Sequence, residues 1–318
     1  MTLEEEAFFP SSVLLSNISK LSGEQSVLQE RRICELAAVA DSAVNYLVSM
    51  HAGGMPIVDA LSLLFLGSEE AHSVHADALG ECVPQLSLHL GVLSVLDRIA
   101  LAALLGRGLE RRALCPTEAD FLPPSGASET FTYVKNLYAD EAYDVFSEAF
   151  SDPRLFYSET LKDAVAAVTE GRAGYCLLPL EEKGGARLAT VSEMLYRSDL
   201  RIASVTPVYG YGEENDLTYA LVSRGFCIPA VDPEDDRYLE IRIPKDSCRL
   251  SELLLAAEGF GAQVYRIHTL AFSAESEKKA FYSLVFRAEG QDFVSLLIYL
   301  AIFYGDFTPI GIYASLES

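Results

Sequence analysis

Thr130 and Thr132 stand two residues apart where a helix beginning near Tyr133 is expected. A hydroxyl beside free helical N–H groups can hold a carboxylate or a phosphate, and the same hydroxyls serve equally as ordinary N-caps. Glu181 and Glu182 follow an apolar run, Tyr175 to Leu180, that reads as a strand buried on both faces. The C-terminal ends of such strands are where open α/β sheets take ligands, although a solvated turn through Gly184 and Gly185 explains two adjacent acids as well. Thr218 and Tyr219 are neighbours on one strand, so any one cleft uses only one of them, and Tyr219 reads as core or interface. His72 and His75 share a helical face, but no HExxH or other ligand spacing is present, and the six cysteines, at 34, 82, 115, 176, 227 and 248, contain no CxxC pair. These spacings favour neither a metal nor a disulfide framework. The cysteines read as small buried apolar residues, and no cofactor is expected.

The bulk composition narrows the choice of partner. A net charge of -22 over 318 residues repels a phosphate backbone, which excludes general nucleic-acid binding and disfavours an anionic membrane surface. A local arginine still admits a small anionic metabolite, because the global field is screened at short range. Glu4, Glu5 and Glu6 stand where a secretory signal needs positive charge, and the longest apolar runs, such as Phe293 to Tyr304, carry polar breaks. They also fall short of the roughly 20 residues that cross a bilayer. A cytoplasmic protein off the membrane is the expectation.

Three segments must position these side chains. Residues 1–116 are helical: Ile33, Leu36, Ala37, Ala40, Val44 and Leu47 recur at helical spacing, Gly53 and Gly54 end that helix, and Pro56 opens the next. A third helix is expected from about Leu86 to Leu105, bounded by Gly106 and Gly108, giving a helical bundle. Residues 117–228 alternate strands and helices, which predicts a mostly parallel sheet. The strands include Tyr175–Leu180, Arg201–Val205 and Thr218–Ser223. Residues 236–318 read βαββαβ, with Leu239, Ile241 and Ile243 on one strand face and Leu250, Leu253, Leu254 and Ala257 on one helix stripe. That order is the ferredoxin-like arrangement. The Pro-containing runs PAVDPEDDR and CPTEADFLPPSG read as linkers.

The middle segment resembles prephenate dehydratase. GASETFT, Gly126 to Thr132, is similar to the family's opening GPxGTFS, with Gly126, Thr130 and Phe131 retained. AVTEGRAGYCLLPLEE is similar to the helix, turn and strand that end in PIEN, with Pro179 and Glu181 matching, and ATVSEMLYRSDLRIASV resembles the TLDLL-type helix, with Thr190 at its threonine. The last segment resembles the ACT domain that regulates the same enzymes. RLSELLLAAEGFGAQVYRIHTLA lies without gaps on the GALxxxL helix and the strand ending in ESRP; Leu250, Leu254, Gly261 and Ile267 match, Cys248 replaces a glycine, and His268, Thr269, Leu270 and Ala271 replace ESRP. The likeness covers about residues 120–318. LSVLDRIALAALLGRGLERR resembles weakly the opening helix of a chorismate mutase, with Arg98, Arg107, Arg111 and Arg112 as its cations.

The resemblance implies α+β and α/β multidomain organisation: a helical bundle, a truncated periplasmic-binding-protein-like α/β lobe, and an ACT-like ferredoxin-like domain. It implies an activity, conversion of prephenate to phenylpyruvate, that needs two carboxylates gripped in a cleft and a donor at the leaving hydroxyl. Thr130 and Thr218 would carry catalysis if that activity survives, and Thr132, Glu181 and Thr190 would line the ligand. Asp246, Cys248, Arg249, His268 and Thr269 would mark an effector site across a dimer interface, for an aromatic amino acid or a small carboxylate. Two departures argue against the reaction. The family's TRF motif falls on Leu217, Thr218 and Tyr219, or one residue further on with Thr218 at its threonine and Tyr219 at its arginine, and neither register supplies the arginine. The interval 206–216 is too short for the second lobe that closes the family's cleft, since a βαβ unit takes about 30 residues. The sequence is therefore expected to encode a homodimeric, non-catalytic, small-molecule-sensing or regulatory relative of the dehydratase, with a divergent dehydratase as the alternative.

Overall fold

The computed structural model describes residues 12–66, 92–124, 126–182, 184–209, 216–231, 234, 236–273 and 278–316. His72, His75, His89, Cys82 and the expected helix start at Leu86 lie outside the described residues.

Helix α1 (Ser12–Ala52) buries Leu36, Ala40, Ala43, Val44 and Leu47, a stripe with the expected spacing of three and four. It ends at Gly53 and Gly54, the latter at φ 95°, and α2 (Ile57–Leu66) follows Pro56. Helix α3 (Val95–Arg111) starts from a capping box in which Ser94 and Asp97 satisfy one another's backbone N–H groups. Gly106 and Gly108, read from sequence as its end, lie inside it. A Cβ at Gly108 would sit 2.7 Å from Val44 Cγ2, so that glycine marks a close crossing of α1 and α3 rather than a stop. One stretch of α1, Ser26–Ala52, is long and apolar enough to cross a bilayer, with a mean hydropathy of 1.3. A search for unbroken apolar runs overlooks it because Glu30, Arg31, Arg32, Glu35 and Asp41 interrupt it.

The run CPTEADFLPPSG, read as a linker, holds a short helix. Helix α4 (Glu118–Phe121) places Glu118 where it accepts from Arg237 Nη1 at 3.2 Å and Nη2 at 2.5 Å, and from the Phe293 N–H at 2.8 Å. Arg237 is fully buried, and its Nη2 also reaches the Pro229 carbonyl at 3.2 Å.

The lobe then runs β1 (Thr130–Val134), α5 (Leu137–Ser147), β2 (Arg154–Ser158), α6 (Leu161–Thr169), β3 (Tyr175–Glu182), β4 (Ala186–Arg187), α7 (Ala189–Arg197), β5 (Arg201–Tyr209) and β6 (Asp216–Ser223). Its six-stranded sheet has the order β2-β1-β3-β6-β5, with β4 on β3. Strands β2, β1 and β3 are parallel, whereas β6 runs antiparallel to both β3 and β5. The expected mostly parallel sheet is thus a mixed one. The physical reason is the short connection from β5 to β6, which permits a hairpin and no crossover.

The remaining chain is β7 (Asp236–Pro244), α8 (Leu250–Gly259), β8 (Gln263–Ser273), β9 (Lys278–Glu289), α9 (Val294–Phe303) and β10 (Thr308–Ala314). The strands form an antiparallel sheet ordered β10-β7-β9-β8, with the βαββαβ element order expected from its periodicity. Leu239, Ile241 and Ile243 face α8 and α9, and that core continues without a break into Leu47, Leu61 and Leu101 of α1, α2 and α3. The described N-terminal helices therefore pack on the helices of the C-terminal sheet and not on the ligand-facing edge of the lobe. The opposite face of the C-terminal sheet, with Tyr238, Val285 and Tyr313, packs into the lobe.

Candidate functional site

Strand β3 is apolar until its end, where Pro179 lacks an N–H and the pairing with β6 shifts register between Pro179 and Glu181. The shift delivers Glu181 to the gap between the two sheets. Gly184 and Gly185, at φ 82° and 78°, then turn the chain back so that Arg187 on β4 pairs with Glu181. A Cβ at Gly185 would stand 2.8 Å from the Arg266 guanidinium carbon, so glycine is what lets Arg266 approach from β8.

The result is a buried charge network. Arg187 Nη1 donates to Glu181 at 3.1 Å, and Arg187 Nη2 reaches Glu240 on β7. Arg266 closes on the other Glu181 oxygen. Glu240 also accepts from Ser283 Oγ at 2.8 Å and Tyr313 Oη at 3.0 Å. Burial alone would raise the Glu240 pKa, but Arg187, Ser283 and Tyr313 outweigh it and hold the carboxyl below its usual range. Tyr313 is pushed well up, by burial first and by Glu240 second. His268 lies beside this network with Nε2 at 3.8 Å from Glu181 Oε1, beyond hydrogen-bonding distance. Burial, then the charge of Arg187, lowers its pKa and keeps it neutral near pH 7.

Against this network opens a cavity of about 920 Å3 between the lobe and the C-terminal sheet. Thr218, Glu181, Arg266, Tyr238, Tyr265 and Tyr313 line it, together with the carboxylates of Glu148, Glu234 and Asp236. Arg266 is its one lining cation among the described residues, and that guanidinium is already taken by Glu181 and by the face of Tyr265 at 4.8 Å. Asp236 is held by Arg287 at 2.8 Å. Aromatic surface and excess carboxylate suit a ligand carrying a ring and a cationic nitrogen, and oppose a dicarboxylate. A smaller crevice of about 270 Å3 lies at the C-terminal ends of β1 and β3, between α5 and α6. Their N-caps, Asn136 and Thr160, and Tyr219 line it, with Tyr219 Oη donating to Asn136 Oδ1 at 3.3 Å, and among the described residues no charged side chain does.

No family model matches this sequence, and no curated protein matches it. Solved structures do. A prephenate dehydratase from Streptococcus mutans aligns at 13% identity over 59% of this chain and 100% of its own, with a TM-score of 0.48. The prephenate dehydratase of Arthrobacter aurescens in complex with L-Phe aligns at 13% identity over 58% of this chain and 90% of its own, at 0.44. GqqA, described as a quorum-quenching acylase, aligns at 17% identity over 59% and 96%, at 0.45. These are likenesses of fold.

The site residues read from sequence are scattered. Thr130 and Thr132 lie on β1 and not before a helix; the helix that follows is capped by Asn136, because the alternating TFTYV extends the strand to Val134. Thr132 is fully buried and bonded to Ser158 Oγ at 2.7 Å. Phe131 pairs with Tyr175 and Thr218 with Glu181, which puts Thr130 and Thr218 at opposite ends of β3. Six residues of strand separate those ends, about 20 Å, so no single small ligand touches both. Glu181 and Thr218 come together in the cavity; Glu181 is buried rather than in a solvated turn, and Glu182 is exposed. Thr190 is exposed at the start of α7. Asp246 and Arg249 are exposed beside the first turn of α8, where Arg249 bonds Glu252 at 3.2 Å. Cys248 packs against the helical core, its thiol pushed up to about 11 by burial. His268 and Thr269 point to opposite faces of β8, so His268 joins the network while Thr269 stays exposed on the α8 side.

Arg98 of the weakly mutase-like stretch is bound to Glu252 at 3.1 Å, and Arg107 and Arg112 turn outward. Arg187, Glu240 and Tyr313, which organise the site, carried no local signal. Arg187 meets Glu181 six residues away across its own turn, but Glu240 lies 53 positions from Arg187 and 73 from Tyr313.

Proposed function

We propose that this chain is a non-catalytic sensing or regulatory protein of the prephenate dehydratase–ACT lineage, which takes a small aromatic amine or amino acid in the cavity between its two sheets. The observation that carries the reading is the charge of that cavity. Four lining carboxylates face one lining arginine that is already paired, and a substrate with two carboxylates would meet repulsion instead of a clamp. The strand that would bear the reaction's Thr and Arg offers Leu217, Thr218 and Tyr219, and the connection between β5 and β6 leaves no room for a second lobe. A ligand held between the lobe and the C-terminal sheet touches both, which is the geometry a sensor needs.

The ACT-like sheet is assigned a second copy of the chain along β8. That strand is an edge and exposes Val264, Tyr265 and Ile267. The test uses purified full-length protein. Incubation with prephenate is expected to give no phenylpyruvate, and a thermal-shift screen is expected to show a raised melting temperature with phenylalanine, tyrosine or tyramine. Phenylpyruvate production would reject the non-catalytic reading. Indifference to every aromatic amine and amino acid would reject sensing and leave a scaffold.

A further inference from the structure

The large cavity between the two sheets treats the two charged ends of an amino acid differently. A carboxylate entering it meets one cation among the described lining residues, Arg266. That guanidinium already closes on Glu181, its Nη2 donates to Tyr265 Oη at 3.4 Å, and its plane covers the Tyr265 ring. A second carboxylate on Arg266 would lie against Glu181, which is buried, and buried like charges are poorly screened. The remaining side-chain donors of the described lining are neutral hydroxyls, those of Thr218, Ser315 and the tyrosines.

An ammonium group meets the opposite. Asp236 and Tyr238 both line the cavity and stand two positions apart on β7, so they share its lobe-facing side at a step of about 7 Å. Tyr238 is the middle of a ladder of rings, with Tyr265 at 5.0 Å and Tyr313 at 5.9 Å. Glu148, at the end of α5, and Glu234, just before β7, add negative charge from two further positions. Arg287, which holds Asp236, lies outside the described lining and is shared with Glu289 at 3.0 Å. An aryl ring seated against Tyr238 therefore carries a short amine arm to Asp236. An α-carboxylate on the same arm would be brought up to the same acid.

We propose that this cavity selects arylalkylamines, which lack a carboxylate, and rejects the amino acids from which they differ by that one group. The inference rests on the sensing reading above and narrows its ligand class. The lining acids act twice, attracting the ammonium and repelling the acid group.

The experiment is isothermal titration of the full-length protein with four ligands that share one ring: tyramine, tyrosine, tyrosine methyl ester and 3-(4-hydroxyphenyl)propionate. Tyramine is expected to bind at least about tenfold more tightly than tyrosine. The ester, which keeps the ammonium and masks the carboxylate, is expected to recover most of that difference, and the propionate to give no heat. In Asp236→Asn and in Glu148→Gln the ratio of tyramine to tyrosine affinity is expected to fall by about two- to fivefold. Tyrosine binding as tightly as tyramine, or an ester no better than tyrosine, overturns the inference and leaves the sensing reading standing. A ratio unchanged in both variants, each folded as judged by circular dichroism, also overturns it. If Asp236→Asn does not fold, Glu148→Gln, at an exposed position, decides. Heat from none of the four ligands overturns the inference and the sensing reading together.

Discussion

On one face of the C-terminal sheet, Leu239, Ile241 and Ile243 meet α8 and α9, and the same apolar mass runs on into α1, α2 and α3. On the other, Glu240 and Arg242 of the same strand meet Glu181, Arg187 and Arg266. The first contact tolerates many arrangements of similar side chains, because burial of apolar area has no direction. The second is satisfied in one geometry, since each buried carboxylate needs its donors in place. The helical side therefore supplies bulk stability, and the lobe side fixes how the sheets meet.

The largest expected effect tests the lobe side. Arg187→Met removes the arginine that bridges Glu181 and Glu240 and is expected to cost about 3–5 kcal/mol in urea unfolding. Replacing Glu181, Arg187 and Glu240 together by apolar residues should recover most of it; a loss under about 1 kcal/mol in the single variant would abolish the contrast. Next, Leu101→Ala, at a fully buried position of α3, is expected to cost about 2–5 kcal/mol. Combined with Arg187→Met it should add within about 0.5 kcal/mol, as the sites share no partner. A coupling well above that would mean that the two covers act as one.

The smallest effect is in pH. Because His268 is held below its ordinary value of 6.5, the unfolded chain takes up this proton first as pH falls. Its contribution is whole above about pH 6.5 and shrinks below it. Glu240, held below its ordinary 4.5, adds a second loss at lower pH. Unfolding measured at pH 7.5, 6.0 and 5.0 should show the first decline, and His268→Gln should flatten it.

The C-terminal order was legible because its strands alternate and its helices carry stripes: YLEIRI alone places Leu239, Ile241 and Ile243 on one face. The same alternation assigns Glu240 and Arg242 to solvent, which is right for a free sheet and wrong for one with a lobe on that face. Glu118 was hidden in a Pro-containing run that resembles a linker, and its burial is explained by Arg237 and the Phe293 N–H, both more than 100 positions away. At β1, the expectation of a helix from near Tyr133 overlooked the strand pattern of TFTYV. The β5–β6 hairpin was within reach, since the short 206–216 interval already excludes a parallel crossover. The cavity was not: its walls come from both sheets, and no local pattern records where two sheets converge.

Past β10 the chain leaves its own sheet. Leu316 N–H donates to the Val205 carbonyl at 2.8 Å, Thr206 Oγ1 donates to the Leu316 carbonyl at 2.8 Å, and Ser204 Oγ reaches the Ala314 carbonyl at 3.1 Å. A side chain at Gly311 would overlap the Ile202 carbonyl oxygen, so the backbones of β10 and β5 lie in contact there. This seam pins the end of β10 to β5, so hydrogen bonds to the backbone, as well as charged side chains, set the register between the two sheets.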